Sequence, residues 1–489
     1  FGFSSELKAL IPIPGFNKKL NAKALVSSLN YVWISGEDTM FEAVRKLSPA
    51  HCLIRKGDGQ IIFHRYWDFS FDGSKLNTLS ENELSQKVRS LLEASIIRQL
   101  PREQPVGAFL SGGLDSSLIT VVAKKYKQDL STFTIATSGT DKQVEQMADD
   151  EYYASYLARE FKIDHHKIKI SPDIVNDLPS VVRLLDEPIG DPAAINTYLI
   201  CKAARERGIR VLLSGMGSDE LFVGHRAAWA SLLSQQFNRL PSPLIHLTRL
   251  VVNRLPVKIG SRGFRFGRWS KRFMSFVGMP IDHAYMRSYS YYSPEELKAL
   301  VKDEFRPGVN AILEEHAHYF FKRKDLDLKN RISYTDLHLF MVGLNLTYTD
   351  RASMGASVIV RTPFIDKEFT DTIMSLHGDW KLKNRIGKYI LKVASRNLLP
   401  EKIINRPKSA FGAPIRAWIS KDLKSMVDEY LSEESINSRG LLNYSYVKKM
   451  IETDRSGKSD YAYQLYQLLT LECWCREYLD QTPTIPQDK

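Results

Sequence analysis

Short apolar runs alternate with turns in the first part of the chain. Residues 52–54 and 61–63 are apolar, and the sequence Gly-Asp-Gly lies between them at 57–59. Glycine between two such runs is typical of a β-hairpin. Residues 1–70 are therefore predicted to be β-rich, and the polar, turn-like residues 70–80 are predicted to be a linker.

The hydrophobic period changes at about residue 81. Apolar residues at helical spacing predict helices at 81–99, 116–126, 151–161 and 194–206. Short apolar runs between them predict strands at 106–110, 131–136, 166–170 and 211–213. Strands that alternate with helices predict an α/β fold with a doubly wound parallel sheet. Because the pattern beyond residue 285 is mostly helical, we expect residues 81–489 to form one mixed domain with a helical C-terminal part.

The first predicted strand of this domain runs into the sequence Ser111-Gly112-Gly113-Leu114-Asp115-Ser116-Ser117. Glycines allow the backbone to approach a phosphate, and the N-terminus of the next helix offers free N–H groups. Ser111, Ser116 and Ser117 add hydroxyl donors. No Gly-Lys-Ser/Thr follows, so the loop is not a Walker A motif. A polyphosphate would repel Asp115 unless a cation lay between them, and we therefore interpret Asp115 as a Mg²⁺ ligand.

This loop resembles the pyrophosphate (PP) loop of the enzymes that cleave ATP to AMP and pyrophosphate. Within that group the chain is similar to the asparagine synthetase family. Further matches to the family are LSGMGSDELF at 213–222, DRASM at 350–354, VRTPFID at 360–366 and RPKSAF at 406–411. Residues 1–70 are similar to the end of the family's N-terminal glutaminase domain, which is an N-terminal-nucleophile (Ntn) hydrolase.

The resemblance implies roles for particular residues. Asp115 and Asp219 would hold Mg²⁺ on the pyrophosphate, and Lys408 would face the phosphates, where a cation stabilises the charge of the leaving group. Catalytic roles are expected for Lys408, Glu220 and Asp350. The expected contacts to ATP are Leu110, Ser111, Gly112, Gly113, Asp115, Ser116, Ser117, Ile135, Ser214 and Gly215.

Four further residues are weaker candidates for substrate contacts: Glu187, Asp191, Arg361 and Lys388. Arg361, beside a Pro-Phe sequence, is equally well explained as a structural ion-pair partner. The acidic residues before the helix at 194–206 would either orient substrate or Mg²⁺ or stabilise the N-terminus of that helix.

The reaction that the resemblance implies uses ATP and Mg²⁺ and has two steps. An acceptor carboxylate attacks the α-phosphate and releases pyrophosphate, and ammonia then converts the acyl-adenylate into an amide and AMP. Aspartate is the default acceptor, and glutamine is the source of ammonia. Two alternatives stay open: another acceptor, such as a sugar uronate of a surface polysaccharide, or an inactive relative that serves as a binding subunit.

Some positions depart from the family pattern. The chain begins with Phe1, inside an apolar run, and lacks the family's N-terminal cysteine nucleophile. We therefore expect a cut N-terminus, and as written the chain would not hydrolyse glutamine. Met216 stands where asparagine synthetases carry a glutamate, and methionine has no acid–base chemistry. Ile359 likewise stands where the family usually carries a glutamate. His225 stands where the family usually carries a tyrosine, and we expect its side chain to pack against neighbouring residues rather than to act in catalysis.

Composition narrows the class of protein. Hydrophobic residues make up 43% and charged residues 25% of the 489 residues, which is typical of a soluble globular protein. No apolar run approaches the ~20 residues that a membrane-spanning helix needs. Four cysteines in so long a chain fit a reducing cytoplasm, and Cys473 and Cys475 are expected to pack rather than bind metal. The resemblance is also compatible with a homodimer.

The net charge of +12 is unevenly distributed. Residues 221–281 contain no aspartate or glutamate but ten basic residues: Arg226, Arg239, Arg249, Arg254, Lys258, Arg262, Arg265, Arg268, Lys271 and Arg272. A solvated basic insertion is the simplest interpretation. Interleaved aromatic residues leave peripheral membrane contact as an alternative, and no nucleic-acid partner is expected.

Overall fold

A five-stranded parallel sheet forms the centre of the α/β domain. The structure is a computed structural model that describes residues 1–74, 76, 78–145, 149–169, 173–259, 262–408 and 412–480. The strands are β1 (His51–Arg55), β2 (Ile61–Arg65), β3 (Val106–Phe109), β4 (Ser131–Ala136), β5 (Asp164–Lys169), β6 (Val211–Leu213), β7 (Lys258–Ile259), β8 (Arg262–Gly263), β9 (Ile359–Arg361), β10 (Leu382–Lys383) and β11 (Ile386–Gly387).

Strand order in the central sheet is β5-β4-β3-β6-β9, and every neighbouring pair is parallel. Chain order therefore runs outward in both directions from β3, which confirms the doubly wound arrangement. Ligands of such sheets bind at the carboxyl ends of the strands where the order reverses, here between β3 and β6. Close strand packing explains Gly107, because an added Cβ would lie 2.6 Å from Leu212 Cδ2.

Helices cover both faces of this sheet and build the rest of the molecule. In the first half they are α1 (Ala22–Tyr31), α2 (Glu81–Gln99), α3 (Leu114–Tyr126), α4 (Gly139–Glu145), α5 (Asp150–Glu160), α6 (Ile174–Leu185), α7 (Ala193–Glu206), α8 (Ser218–Leu221), α9 (Arg226–Phe237), α10 (Ser242–Asn253), α11 (Arg265–Met274) and α12 (Ile281–Tyr289).

In the second half the helices are α13 (Pro294–Leu300), α14 (Pro307–Lys322), α15 (Leu328–Asp336), α16 (Thr347–Gly355), α17 (Lys367–Met374), α18 (Gly378–Lys381), α19 (Tyr389–Ser395), α20 (Glu401–Ile404), α21 (Ile415–Ser420), α22 (Lys424–Tyr430), α23 (Glu433–Arg439), α24 (Tyr444–Arg455) and α25 (Ala462–Cys475). Short 3₁₀ turns lie at Leu7–Ala9, Asp303–Phe305 and Pro363–Ile365, and π-helical segments at Leu337–Leu346 and Arg476–Asp480.

Helix α2 shows why the predicted helix at 81–99 forms where it does. Ser80 and Glu83 make a reciprocal capping box, in which Ser80 Oγ accepts from the Glu83 N–H and the Glu83 carboxylate accepts from the Ser80 N–H at 2.9 Å. Such a cap satisfies two backbone donors that the helix itself leaves free. The apolar residues at helical spacing are buried against the core next to β3: Leu84, Val88, Leu92 and Ile96.

One strand of the sheet is missing from the sequence prediction. Strand β9 (Ile359–Arg361) pairs with β6 at the edge of the sheet, within the region that was expected to be mostly helical. Its apolar run at 358–360 lies in a region whose pattern is otherwise helical, and short apolar runs do not distinguish a strand from part of a helix.

Residues 1–70 contain the predicted hairpin, with Leu53 opposite Phe63, and in addition helix α1. Asn21 caps α1 by accepting from the N–H groups of Lys23 and Ala24. Leu25, Val26 and Leu29 of this helix are buried in a core cluster that also contains residues of α25. The first residues of the chain thus share a core with the last helices. Lys75 and Asn77, in the predicted linker, lie outside the described residues.

Helix α25 buries both Cys473 and Cys475 in the same core cluster, as the packing interpretation predicted. Within the described part of the chain, no helix combines the length and the apolarity that crossing a membrane requires.

Candidate active site

A cavity with a volume of about 370 Å³ opens at the carboxyl ends of β3, β4 and β6. This is the edge of the sheet at which a doubly wound fold binds its ligands. Many of the predicted site residues line it: Leu110, Ser111, Asp115, Ser116, Ile135, Asp191, Ser214, Gly215, Asp219, Glu220 and Lys408. The fold therefore brings together residues that lie almost 300 positions apart in the sequence.

The loop after β3 is held by its own serines. Ser111 Oγ lies 3.1 Å from Ser116 Oγ and accepts from the Gly113 N–H at 3.3 Å. Arg406 adds a link from the distant RPK sequence, because its guanidinium donates to the Ser111 carbonyl oxygen at 2.7 Å. These bonds fix the loop before any phosphate binds.

Two glycines allow other segments to approach the loop. Gly112 has φ +68° and packs against the backbone of Tyr153 and Ala154, where an added Cβ would lie 2.5 Å from the Ala154 nitrogen. At Gly215 an added Cβ would lie 2.7 Å from the Ser116 nitrogen. The two loops that follow β3 and β6 are thus in direct backbone contact at the floor of the cavity.

We predict that Gly112→Ala lowers the free energy of unfolding by about 3 kcal/mol or more. A left-handed φ costs a residue with a Cβ about 1 kcal/mol, and the contact with Ala154 adds the cost of moving backbone. Gly440→Ala is the matched control, since Gly440 has φ +69° and open space around its Cβ position, so it pays only the φ cost. Urea unfolding of both variants measures the difference, and equal losses would contradict the role given to backbone contact.

Two lysines and two aspartates form a cluster beside the loops that follow β3 and β6. Lys388 Nζ lies 2.5 Å from Asp115 Oδ2 and 2.8 Å from Asp219 Oδ1. Lys408 pairs with the same Asp219 oxygen and donates to the Gly224 carbonyl at 3.0 Å. The remaining oxygen of Asp115 accepts from the Ser218 hydroxyl at 2.7 Å. Both predicted metal ligands thus converge on one point, which the Lys388 ammonium occupies.

The charges of this cluster determine its protonation. Burial alone would raise the pKa of Asp219, but Lys388 and Lys408 outweigh it and hold that pKa well below its ordinary value. Burial alone would lower the pKa of Lys388, and the two carboxylates reverse this and raise it. Asp219 and Lys388 are therefore both ionised at neutral pH.

Asp115 and Asp219 have the chemistry and the placement that a Mg²⁺ ion requires. Their oxygens share one cation within 3 Å, and Mg²⁺ in nucleotide sites is usually held by one or two carboxylates together with phosphate oxygens and water. Within the described ranges, no group of three or more His, Cys, Asp or Glu side chains is placed to hold a metal ion. Phosphate oxygens and water would therefore have to complete the coordination of Mg²⁺ here. A Mg²⁺ ion here would neutralise phosphate charge.

The opposite wall of the cavity carries Glu220 and the residues bonded to it. Asn345 Nδ2 donates to Glu220 Oε1 at 2.8 Å, and His225 Nε2 lies 3.0 Å from the same oxygen. Burial and Lys408 would lower the pKa of His225, but the bond to Glu220 prevails and raises it. His225 also packs edge-on against Phe340, as the packing interpretation expected.

Met216 also lines the cavity and gives it an apolar surface. Its sulfur accepts a weak hydrogen bond from the Thr349 hydroxyl at 3.6 Å. Across the cavity, Asp191 accepts from the Ala193 N–H at 2.8 Å, and burial raises its pKa to about 6. Asp191 is the member of the predicted acidic group that reaches the cavity.

The structure does not bring every predicted residue to the cavity. Glu187 is buried beside Lys46 at 3.1 Å, where burial raises its pKa. Asp350 is exposed on α16, and its nearest partner is Arg351 at 3.7 Å. Arg361 donates to the Gln99 carbonyl at the end of α2, so its described contact is a structural hydrogen bond to backbone and not the ion pair considered for it. Gly112, Gly113 and Ser117 shape the loop but do not line the cavity.

Several lining residues were not expected from the sequence. They are Lys142, Glu151, Asn196, Thr197, Asn345, Tyr348 and Thr349. Asn196 and Thr197 follow Ala193, another lining residue, on α7 at intervals of three and four residues, so the three share one face of that helix. The others carry no local signal. Ser409, Ala410 and Phe411, from the RPKSAF sequence, lie outside the described residues.

A cavity at the switch point of a doubly wound sheet, with a glycine- and serine-rich loop and paired carboxylates, fits the class of ATP-dependent ligases. Residues 87–476 match the asparagine synthase family, and residues 1–67 match the glutamine amidotransferase domain. The chain belongs to the asparagine synthase family. It is accordingly an amide-forming ligase that takes glutamine as amido donor.

Individual relatives agree with this assignment. The chain is 29% identical to asparagine synthetase (glutamine-hydrolyzing) 1 of Bacillus subtilis, over 96% of this chain and 71% of that protein. It is 26% identical to a putative asparagine synthetase of Mycobacterium tuberculosis, over 99% and 72%. Amidase chyE of Penicillium rubens is 24% identical, over 86% and 66%.

Among solved structures, the chain is similar to an NMN synthetase from Francisella tularensis. That match has 21% identity and a TM-score of 0.21, over 30% of this chain and 58% of that chain. It is also similar to an NH₃-dependent NAD synthetase from Campylobacter jejuni. In that case the identity is 12% and the TM-score 0.21, over 49% and 96% of the two chains.

Proposed function

We propose that this protein adenylates aspartate with ATP and converts the aspartyl-adenylate to asparagine with ammonia derived from glutamine. The observation that carries the proposal is the cluster of Asp115, Asp219, Lys388 and Lys408 at the mouth of the loop after β3. It combines two carboxylates that suit Mg²⁺ with two cations that suit phosphate, at the edge of the sheet where a nucleotide is expected.

In this proposal the loop residues Ser111, Gly112, Gly113 and Ser116 bind the β- and γ-phosphates through backbone N–H groups and hydroxyls. Leu110, Ile135, Ser214 and Gly215 contact the AMP portion from the ends of three strands. Such positioning, which places an acceptor carboxylate next to the α-phosphate, accounts for much of the rate in phosphoryl and nucleotidyl transfer.

Lys408 stabilises the negative charge that moves onto the leaving pyrophosphate. Its pairing with Asp219 keeps the ammonium group at the entrance to the loop. Glu220 is positioned by Asn345 and His225 on the wall of the cavity, where it can accept a hydrogen bond from the attacking ammonia. Asp350 is exposed and outside the cavity lining, so this scheme gives it no step.

A second candidate function is the same chemistry on a different carboxylate. It is favoured by the apolar surface of Met216 in the lining, at the position where asparagine synthetases carry a glutamate. An acceptor with a larger or less charged body than aspartate would gain from contact with this thioether.

Pyrophosphate release in the presence of a panel of acceptors tests both proposals. We expect release with ATP, Mg²⁺ and aspartate, and asparagine after ammonium chloride is added, which removes any dependence on glutamine hydrolysis. Release with a uronate or another acid, but not with aspartate, would favour the second candidate. Binding of ATP without pyrophosphate release from any acceptor would contradict both.

A further inference from the structure

Helix α10 carries an apolar stripe on its solvent side. None of its residues is buried, and among the described elements it packs mainly against α11. Leu244, Leu247 and Val251 repeat at intervals of three and four residues and are between 47% and 59% exposed. We call these three residues the α10 stripe. Side chains with this spacing share one face of a helix, so the stripe is continuous and open to a partner.

The surroundings of the stripe are basic. Arg239 and Arg254 lie at its two ends, both exposed, and no carboxylate of the described residues lies within salt-bridge distance of either. No acidic residue occurs anywhere between Leu221 and Ile281. Unpaired guanidinium groups beside an apolar surface suit a partner that is negatively charged and apolar at once.

Helix α11 adds exposed aromatic and basic side chains to this surface. Phe266 and Trp269 are 67% and 50% exposed, and the Arg265 guanidinium lies 4.3 Å from the centre of the Trp269 ring. Tryptophan beside arginine is typical of the boundary between lipid headgroups and acyl chains, where the ring is half apolar and half wet. Arg226 also stacks on Trp269 and donates to the Lys408 carbonyl. The basic surface thus reaches the segment that lines the cavity.

From these observations we infer that helices α10 and α11 bind the surface of an anionic phospholipid bilayer, with the α10 stripe inserted below the headgroups and Arg239 and Arg254 on the phosphates. A narrow stripe with cations at its ends is the form of an interfacial helix. A second copy of this chain fits less well, because its own basic surface would face this one and repel it. This inference is independent of the acceptor in the proposed reaction.

Flotation of the purified full chain with lipid vesicles tests the inference. We expect binding to vesicles of phosphatidylcholine mixed with phosphatidylglycerol and much weaker binding to phosphatidylcholine alone. The double variant Arg239→Gln, Arg254→Gln should lower the partition coefficient about thirtyfold, since each cation at an anionic surface contributes about fivefold. Leu247→Ser with Val251→Ser should lower it about tenfold or more.

Matched controls separate a specific surface from general charge or general hydrophobicity. Lys448→Gln with Lys449→Gln removes the same net charge from exposed positions of α24. Ile54→Ser with Ile97→Ser removes two side chains that are 49% and 46% exposed elsewhere. Both pairs should change the partition coefficient less than about twofold. Pyrophosphate release and circular dichroism should match the unmodified chain in all four double variants, because none of these residues lines the cavity.

Two outcomes would overturn the inference. One is equal flotation of the unmodified chain with both vesicle types, or no flotation with either. The other is self-association, measured by sedimentation, that Leu247→Ser with Val251→Ser abolishes, since the stripe would then be an interface between copies of the chain.

Discussion

Asp115→Ala is expected to lose pyrophosphate release, with a fall in kcat of at least about a hundredfold. Asp115 shares the Lys388 ammonium with Asp219 at 2.5 Å and 2.8 Å, so its removal leaves one carboxylate where the proposed Mg²⁺ site needs two. Loss of one preorganised electrostatic group in an active site costs a factor of about 10²–10³. The measurement is coupled pyrophosphate release with saturating ATP and acceptor.

Asp115→Asn sharpens this test, because asparagine keeps the size of the side chain and an oxygen that can accept the Ser218 hydroxyl bond. It should be as inactive as the alanine variant if charge is what matters, and largely active if only the hydrogen bond matters. Asp129→Asn, at an exposed position beyond α3, is the control for a lost carboxylate. Release within about threefold of the unmodified chain in Asp115→Asn would refute the metal-ligand role.

Lys388→Met should lower the free energy of unfolding by about 3 kcal/mol at neutral pH. Removing one partner of a buried ion pair leaves an uncompensated charge and typically costs 3–5 kcal/mol, and Lys408 keeps part of the compensation for Asp219. Methionine and lysine are both unbranched at Cβ, so the left-handed φ of +56° at this position costs both about the same. Urea unfolding measures the change.

The free energy of unfolding that Lys388→Met loses should depend on pH in a defined direction. The folded-state pKa of Asp219 lies well below 3.8, with burial opposed and outweighed by Lys388 and Lys408. An acid with a depressed pKa contributes stability above its unfolded pKa and loses it as the pH falls through the folded one. The difference between the unmodified chain and Lys388→Met is therefore largest above pH ~4 and shrinks in stronger acid.

Mg²⁺ should restore part of the stability that Lys388→Met loses. With the Lys388 ammonium gone, the position between the two carboxylates is open to a divalent cation, and a ligand of the folded state raises the free energy of unfolding. The control is Lys392→Met, one turn further along α19, where burial lowers the pKa of the lysine and loss of the cation should cost little. An equal response of both variants to Mg²⁺ would contradict the shared site.

The fold and the binding loop were predictable because their signals are local. The strands Ser131–Ala136 and Val211–Leu213 have the predicted bounds, and so does helix Glu81–Gln99. Asp115 and Asp219 follow strands that the sequence marks clearly, and parallel strands deliver their carboxyl ends to one edge. Local signals therefore sufficed to bring both aspartates to the cavity.

The locations of other site residues could not be predicted, because they depend on tertiary structure. Glu187 and Asp191 belong to one acidic group, yet one turns toward Lys46 and the other into the cavity, and composition does not encode the direction in which a loop side chain points. The sequence likewise gave no indication that Lys388 would sit between the two aspartates. It reaches them from a left-handed turn before α19, 273 residues after Asp115.

That sequence separation has a consequence for how the protein matures. A nascent chain emerges from the N-terminus and acquires Asp115 and Asp219 long before Lys388 and Lys408. Contacts between distant residues form late, because a long loop must close first. Until the segment from Lys388 to Lys408 has been synthesised, the incomplete chain carries two carboxylates without their lysines. The cluster of two aspartates and two lysines is thus assembled only after that late segment has emerged.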